Sequence, residues 1–161
     1  MLILDEKVLC YDKYVGSRAL CIDYGDKRIG IAISDITWQI SSPFKVLESS
    51  GVFHNLFKII QDNSVGLIVV GLPKALNGGS AGKQREKVEK FTNKLISLIA
   101  KNKIDLDVIY WDERLSTVAA QKIVKQLELH HNKNIDKLAA SFILQGFLDC
   151  KNYQDKVTLV P

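Results

Sequence analysis

No stretch of this chain approaches ~18 consecutive apolar residues, the length a helix needs to cross a bilayer, so no segment is expected to span one. The opening Met-Leu-Ile-Leu is broken at once by Asp5, Glu6 and Lys7, which is not the pattern of a secretory signal. Cysteine is scarce. Cys10, Cys21 and Cys150 are odd in number, and their spacing fits neither a zinc site nor a disulfide framework. Cys21 lies in an apolar run and reads as a buried thiol, so a reducing cytoplasm is the simplest setting. A His/Cys cluster is missing as well. His130 and His131 are adjacent in a polar stretch, match no zinc spacing and read as a solvated loop. There is no internal repeat, no low-complexity tract and no aromatic-rich platform of the kind RNA modules use to stack bases.

What is present is an ordinary globular composition. Apolar residues make up 47% and charged residues 25% of 161, which excludes the disordered and membrane classes and fits one domain. A chain of this size buries a core without disulfides or structural metal. The net charge of +4 is concentrated. Lys74, Lys83, Arg85, Lys87, Lys90 and Lys94 face only Glu86 and Glu89 in that stretch, a surplus equal to the whole chain's. A local basic surplus of this kind suits a nucleic-acid partner.

Residues 1–17 form an N-terminal extension without a clear pattern. From Arg18 the pattern sharpens. Ala19 to Ile22 is apolar on both faces, as a central strand is, and Gly25-Asp26-Lys27 signals a turn. With the apolar run Ile29 to Ser34, residues 18–34 read as a hairpin. Phe44 to Leu47, after Pro43, is a third strand. Ser49 or Ser50 is placed to cap a helix to about Asp62. Val65 to Gly71 is again a strand buried on both faces, and a loop with Pro73 and Asn77-Gly78-Gly79 follows. A helix is expected from about Lys83 to Lys101, with Val88, Phe91, Leu95 and Leu98 as its apolar stripe. Leu106 to Trp111 is the last strand. Ser116 or Thr117 caps a helix to about Leu129, and Asn134 caps a final one. The core face of that last helix is assigned to Ile135, Leu138, Ala139, Phe142, Ile143, Gly146 and Phe147, with a loose tail from Lys151. Strands alternating with helices after an opening hairpin imply an α/β fold, a mixed five-stranded sheet with helices on both faces. The domain spans 18–150, between the extension and a tail at 151–161.

Three carboxylates stand out by position. Asp23 ends the first strand, Glu113 follows the last, and Asp136 lies in the first turn of the final helix. Sites in open α/β sheets form at the carboxyl ends of strands. Each acid also has an ordinary use. Asp23 can open a turn, Glu113 can pair with Arg114, and Asp136 can complement the helix dipole for about 0.3–1 kcal/mol. Spacing alone does not make the three converge.

The segment CIDYGDKRIGIAISD (21–35) resembles the opening hairpin of the YqgF/RuvX family of Holliday junction resolvase-like proteins. IVVGLP (68–73) is similar to that family's central strand and loop, followed by matches at Gly78, Gly82, Gln84, Val88, Phe91 and Leu95. DERLST (112–117) resembles its acidic motif, and IDKLAASFILQGFLD (135–149) its C-terminal helix. Four ordered motifs cover most of the chain. The resemblance implies an RNase H-like fold related to the RuvC resolvases. It also implies an acidic metal site of Asp23, Glu113 and Asp136, and a link to processing the 5′ end of pre-16S rRNA. Two departures stand out: residues 1–17 precede the usual start, and Asn77 replaces an Asp common before the glycine.

The chemistry fits that implication. Phosphodiester hydrolysis must activate water and neutralise a leaving oxygen, and two metal ions about 3.5–4 Å apart do both. Mg²⁺ (or Mn²⁺) prefers oxygen ligands, which carboxylates supply. Lys27, Arg28 and Arg114 are placed to meet phosphates, although charged turns and surface ion pairs serve equally. Lys83, Lys87, Lys90, Lys94 and Lys101 recur on one helical face and suit either a phosphate backbone or a solvated surface, with Glu86–Lys90 as an i,i+4 pair. The expected partner is a structured RNA or branched DNA, within a pre-ribosomal particle, and the expected state a monomer or weak homodimer. Two other classes compete. Asp-x-Gly before a hairpin also opens the actin-like and sugar-kinase ATPases, but those need two such domains and no second hairpin of that kind occurs. An RNA- or ribosome-binding module without turnover would have no need of the three acids.

Overall fold

The computed structural model describes residues 3–4, 11–73, 80–112, 126 and 134–158. Its layering follows from the two faces of the opening hairpin, β2 (Arg18–Tyr24) and β3 (Arg28–Ser34). Leu20, Ile22, Ile29, Ile31 and Ile33 point to one side, where large β-branched and leucine side chains build the bigger core. Ala19, Cys21 and Ala32 point to the other, where small side chains let a single helix lie close. The expectation of a strand apolar on both faces holds, and Cys21 is fully buried.

The strands β4 (Ser41–Glu48), β5 (Val65–Leu72) and β6 (Asp107–Asp112) complete the five anticipated. A sixth, β1 (Ile3–Leu4), comes from the N-terminal extension and pairs parallel to β6. The order is β1-β6-β5-β2-β3-β4. β2, β5 and β6 run parallel, while the β2–β3 and β3–β4 pairs are antiparallel, so the sheet is mixed. The helices α1 (Val52–Asp62) and α2 (Ser80–Lys101) cover the large-residue face. The helix α3 (Ile135–Thr158) covers the other.

Four details depart from the sequence reading. Neither Ser49 nor Ser50 caps α1. Gly51 stands at the cap with left-handed backbone (φ 70°), and the Ser49 hydroxyl instead donates to the Gly25 carbonyl at 3.0 Å. In α2 the buried stripe is Val88, Phe91, Leu95 and Ile99, with Leu98 only half-buried. In α3 it is Ile135, Ala140, Ile143, Leu144, Phe147 and Leu148, whereas Leu138, Ala139, Phe142 and Gly146 are half-buried. Both helices carry apolar residues beyond one stripe, so periodicity could not fix their rotation. α3 also continues to Thr158, past the expected tail at Lys151, because Lys151 to Thr158 holds no glycine or proline to stop it. The helix expected between Ser116 and Leu129 lies almost wholly outside the described residues.

The described part of the extension packs onto the domain. A 3₁₀ turn over Tyr11–Tyr14 buries Tyr14, whose ring stacks on Trp38 at 5.4 Å. The Tyr14 hydroxyl and the Lys13 ammonium each lie 2.6 Å from Asp107 Oδ2 at the start of β6. Burial opposes ionisation of Asp107, but these two donors hold its carboxyl below the usual carboxylate range.

Candidate active site

Asp23 is the penultimate residue of β2, half-buried, on the same face as Ala19 and Cys21 and therefore on the α3 side of the sheet. Its neighbour across the hairpin is Gly30. The absence of a side chain there is what admits α3. A Cβ on Gly30 would collide with the carbonyl carbon and oxygen of Asp136 and approach the Lys137 amide to 3.0 Å. The first turn of α3 thus rests on the residue paired with Asp23. The Asp136 backbone therefore lies against the residue that is the ladder partner of Asp23.

Asp136 Oδ2 is shielded from solvent. Arg28 Nε lies 3.1 Å from it, close enough for an ion pair, but without the alignment of a hydrogen bond. The two side chains are 49% and 27% exposed, so the pair contributes about 0–1 kcal/mol. The structure therefore pairs one of the three acids, Asp136, with Arg28 and seats its backbone on Gly30, the ladder partner of Asp23. Glu113 and Arg114 lie outside the described residues. The chain just before them ends β6 with Trp111, on the α3 side and edge-on to Phe147 at 5.4 Å, and then Asp112. Among the described residues no group of three or more His, Cys, Asp or Glu is placed to hold a metal.

The rim of this cluster is braced by contacts that no sequence signal gave. The Gln84 amide donates to the Tyr24 carbonyl at 3.1 Å, tying α2 to the end of β2. Lys87 Nζ meets Asp26 Oδ2 in the hairpin turn at 2.6 Å. Lys27 is exposed in that turn. Lys83, Lys90, Lys94 and Lys101 are exposed along α2, with Lys94 Nζ 5.2 Å from the Phe53 ring centre. Because α2 follows β5, its start lies at the carboxyl end of the parallel strands, and its lysine face leads away for about 27 Å. The i,i+4 pair formed on α2 is Arg85–Glu89 at 2.9 Å. Glu86–Lys90 is not formed.

A mixed sheet of this order, with a carboxylate at the end of its central strand and a C-terminal helix packed across one face, has the RNase H-like fold. Comparison with known proteins narrows this. The chain belongs to the family described as "RuvX: Holliday junction resolvase", whose model matches residues 17–150. A relative from Desulforamulus reducens, named "Putative pre-16S rRNA nuclease", is 43% identical over 138 residues, covering 82% of this chain and 96% of its own. One of the same name from Clostridioides difficile is 41% identical over 140 residues, covering 83% and 95%. Among solved structures, T. thermophilus RuvC in complex with a Holliday junction substrate aligns with a TM-score of 0.53 over 84% of this chain and 96% of that one. At 10% identity, that likeness shows the fold alone. The resemblance read from four motifs is thus borne out at the family level. Among the described residues no helix is long and apolar enough to cross a membrane.

Proposed function

We propose that the chain is a metal-dependent endonuclease that processes the 5′ end of pre-16S rRNA in the cytoplasm, with Asp23, Glu113 and Asp136 holding Mg²⁺ or Mn²⁺. The observation that supports this reading is the close seat of the Asp136 backbone on Gly30, the ladder partner of Asp23. The donor set fits the ion. Hard divalent cations take oxygen ligands, and Asp136 Oδ2 is a solvent-shielded carboxylate oxygen to which no hydrogen bond is made. Glu113, from the DERLST motif, is the third ligand of this reading. Divalent ions bound there would activate water and neutralise charge on the leaving oxygen. The protein's own part is to hold the carboxylates rigidly, on a central strand and a packed helix, and to bind phosphates. Lys27, Arg28, Arg114 and the α2 lysines Lys83, Lys87, Lys90 and Lys94 are the phosphate contacts, read by charge and not by sequence. The substrate assignment rests on the relatives' name, and the setting would be a pre-ribosomal particle, with the protein acting as a monomer or weak homodimer.

Branched DNA is the second reading, favoured by the family's description as a Holliday junction resolvase. One experiment separates these, and both from a silent binding module. Pure protein is incubated with Mg²⁺ or Mn²⁺ on a precursor 16S 5′ RNA and on a four-way DNA junction. Metal-dependent cleavage confined to the RNA is the expected result. Cleavage of the junction with the RNA intact would reverse the substrate, and binding without cleavage of either would leave only the module.

A further inference from the structure

Arg28 sits where two claims on it conflict. It opens β3 at the edge of the hairpin turn, half-exposed, next to Lys27 of that turn. Its Nε is also 3.1 Å from Asp136 Oδ2. The contact is close yet poorly aligned, since that oxygen makes no hydrogen bond. Nothing on the backbone forces it. The Asp136 backbone is set by the seat of its helix on Gly30, and its carboxylate is met by the guanidinium. A cation drawn to that oxygen must contend with the guanidinium, and a half-exposed arginine can move away from it.

We infer that Arg28 is a placeholder: it neutralises Asp136 until a divalent cation takes that oxygen, and the displaced guanidinium then becomes a phosphate contact. This deepens the metal-site reading above and rests on it. The consequence is a coupling between ion and substrate. Arg28 lowers the affinity for the ion and, once displaced, raises the affinity for nucleic acid. Arginine suits both states because its planar fork meets carboxylates and phosphates alike.

The test is a titration of the full chain with Mn²⁺ alone, followed calorimetrically, for the wild type, Arg28→Gln and Lys27→Gln. Both substitutions remove one positive charge from the same turn, but only Arg28 touches Asp136. The placeholder predicts that Arg28→Gln binds Mn²⁺ about 1.5- to fivefold more tightly than wild type, the range set by a partly exposed ion pair. Lys27→Gln should change the affinity much less. Arg28→Lys keeps the charge but not the fork, and should fall between. Equal tightening in both glutamine variants would make the effect one of overall charge and overturn the proposal. Unchanged or weaker binding by Arg28→Gln, with wild-type binding intact and sensitive to Asp23→Asn, would overturn it and spare the metal site. Absence of Mn²⁺ binding in every variant would remove the metal site and the placeholder together. A second readout is Mn²⁺-free affinity for a short RNA duplex. While Arg28 is still engaged with Asp136, Arg28→Gln should weaken that affinity less than Lys90→Gln does, and a larger loss would contradict the engaged state.

Discussion

Gly30 matters for what it lacks. Read in sequence it is one glycine in an apolar strand, and only the seat of α3 shows that any side chain there meets the Asp136 backbone. Gly30→Ala should cost about 1–3 kcal/mol, the usual penalty for overpacking, and should also slow metal-dependent cleavage because Asp136 moves. Gly51→Ala is the comparison. Its left-handed backbone makes alanine unfavourable by about 1 kcal/mol, at an exposed position with open space around it. Denaturant melts and cleavage rates of both variants test this, and equal rates would detach the close approach from the site. Asp35 gives a different kind of residue-scale prediction. Burial opposes its ionisation, but the Ile40, Gln39 and Thr37 amides and the Thr37 hydroxyl all donate to it, and the carboxyl falls from 3.8 to about 2. A carboxyl depressed in the folded state stabilises fully above its unfolded pKa, and that contribution is lost as pH falls toward the folded value. Asp35→Ala should therefore destabilise by about 1–3 kcal/mol at pH 7. The gap to wild type should narrow as pH drops from about 4 toward 2, where a gap that widens would show that the loop is not held by the ionised form.

Helix α2 joins the basic surplus of the chain to the rim of the site. If its exposed lysines track phosphates, each charge removed should reduce the slope of log affinity against log salt by about 0.7–0.9. Lys87 is already paired with Asp26 at 2.6 Å, so Lys87→Gln should change the slope less than Lys90→Gln or Lys94→Gln. Filter binding across a salt series measures this, and an unchanged slope in all three would return the lysines to a solvating role. The elements themselves were legible where the chemistry is extreme. β2 and β5 announced themselves because both faces are apolar. β4 was recognised only in its second half, since Ser41, Ser42 and Pro43 on the exposed edge strand carry no burial pattern. The rotation of α3 was not legible, because Leu138, Ala139 and Phe142 are as apolar as the residues that face the sheet.

The two ends of the sheet divide the labour of the whole molecule. At the carboxyl ends of β2, β5 and β6 the chain gathers Asp23, Asp112 and the first turn of α3. At the opposite end the Tyr11–Tyr14 turn, the Asp35 loop and Trp38 form a packed buttress, with Lys151 of α3 5.2 Å from the Tyr11 ring. α3 spans both, from Asp136 to Lys151 about 22 Å along its axis, and so joins the two ends. This division could not be read from the sequence. A two-residue strand has no periodicity, and the seat of Asp136 on Gly30 is set by the packing of α3 on the sheet and not by spacing. What the sequence did carry was the family, through four ordered motifs, and the three acids are what that resemblance implies. Their joint role is the central claim, and Asp23→Asn tests it most directly, by thermal melts with and without Mg²⁺ alongside a cleavage assay. Like charges ~4 Å apart repel by up to about 4 kcal/mol at an effective dielectric of 20, so removing one should leave metal-free stability equal or slightly raised. Mg²⁺ should stabilise the wild type more than the variant, and cleavage should vanish. An Asp23→Asn protein that is destabilised, responds to Mg²⁺ like the wild type and still cleaves would contradict the account.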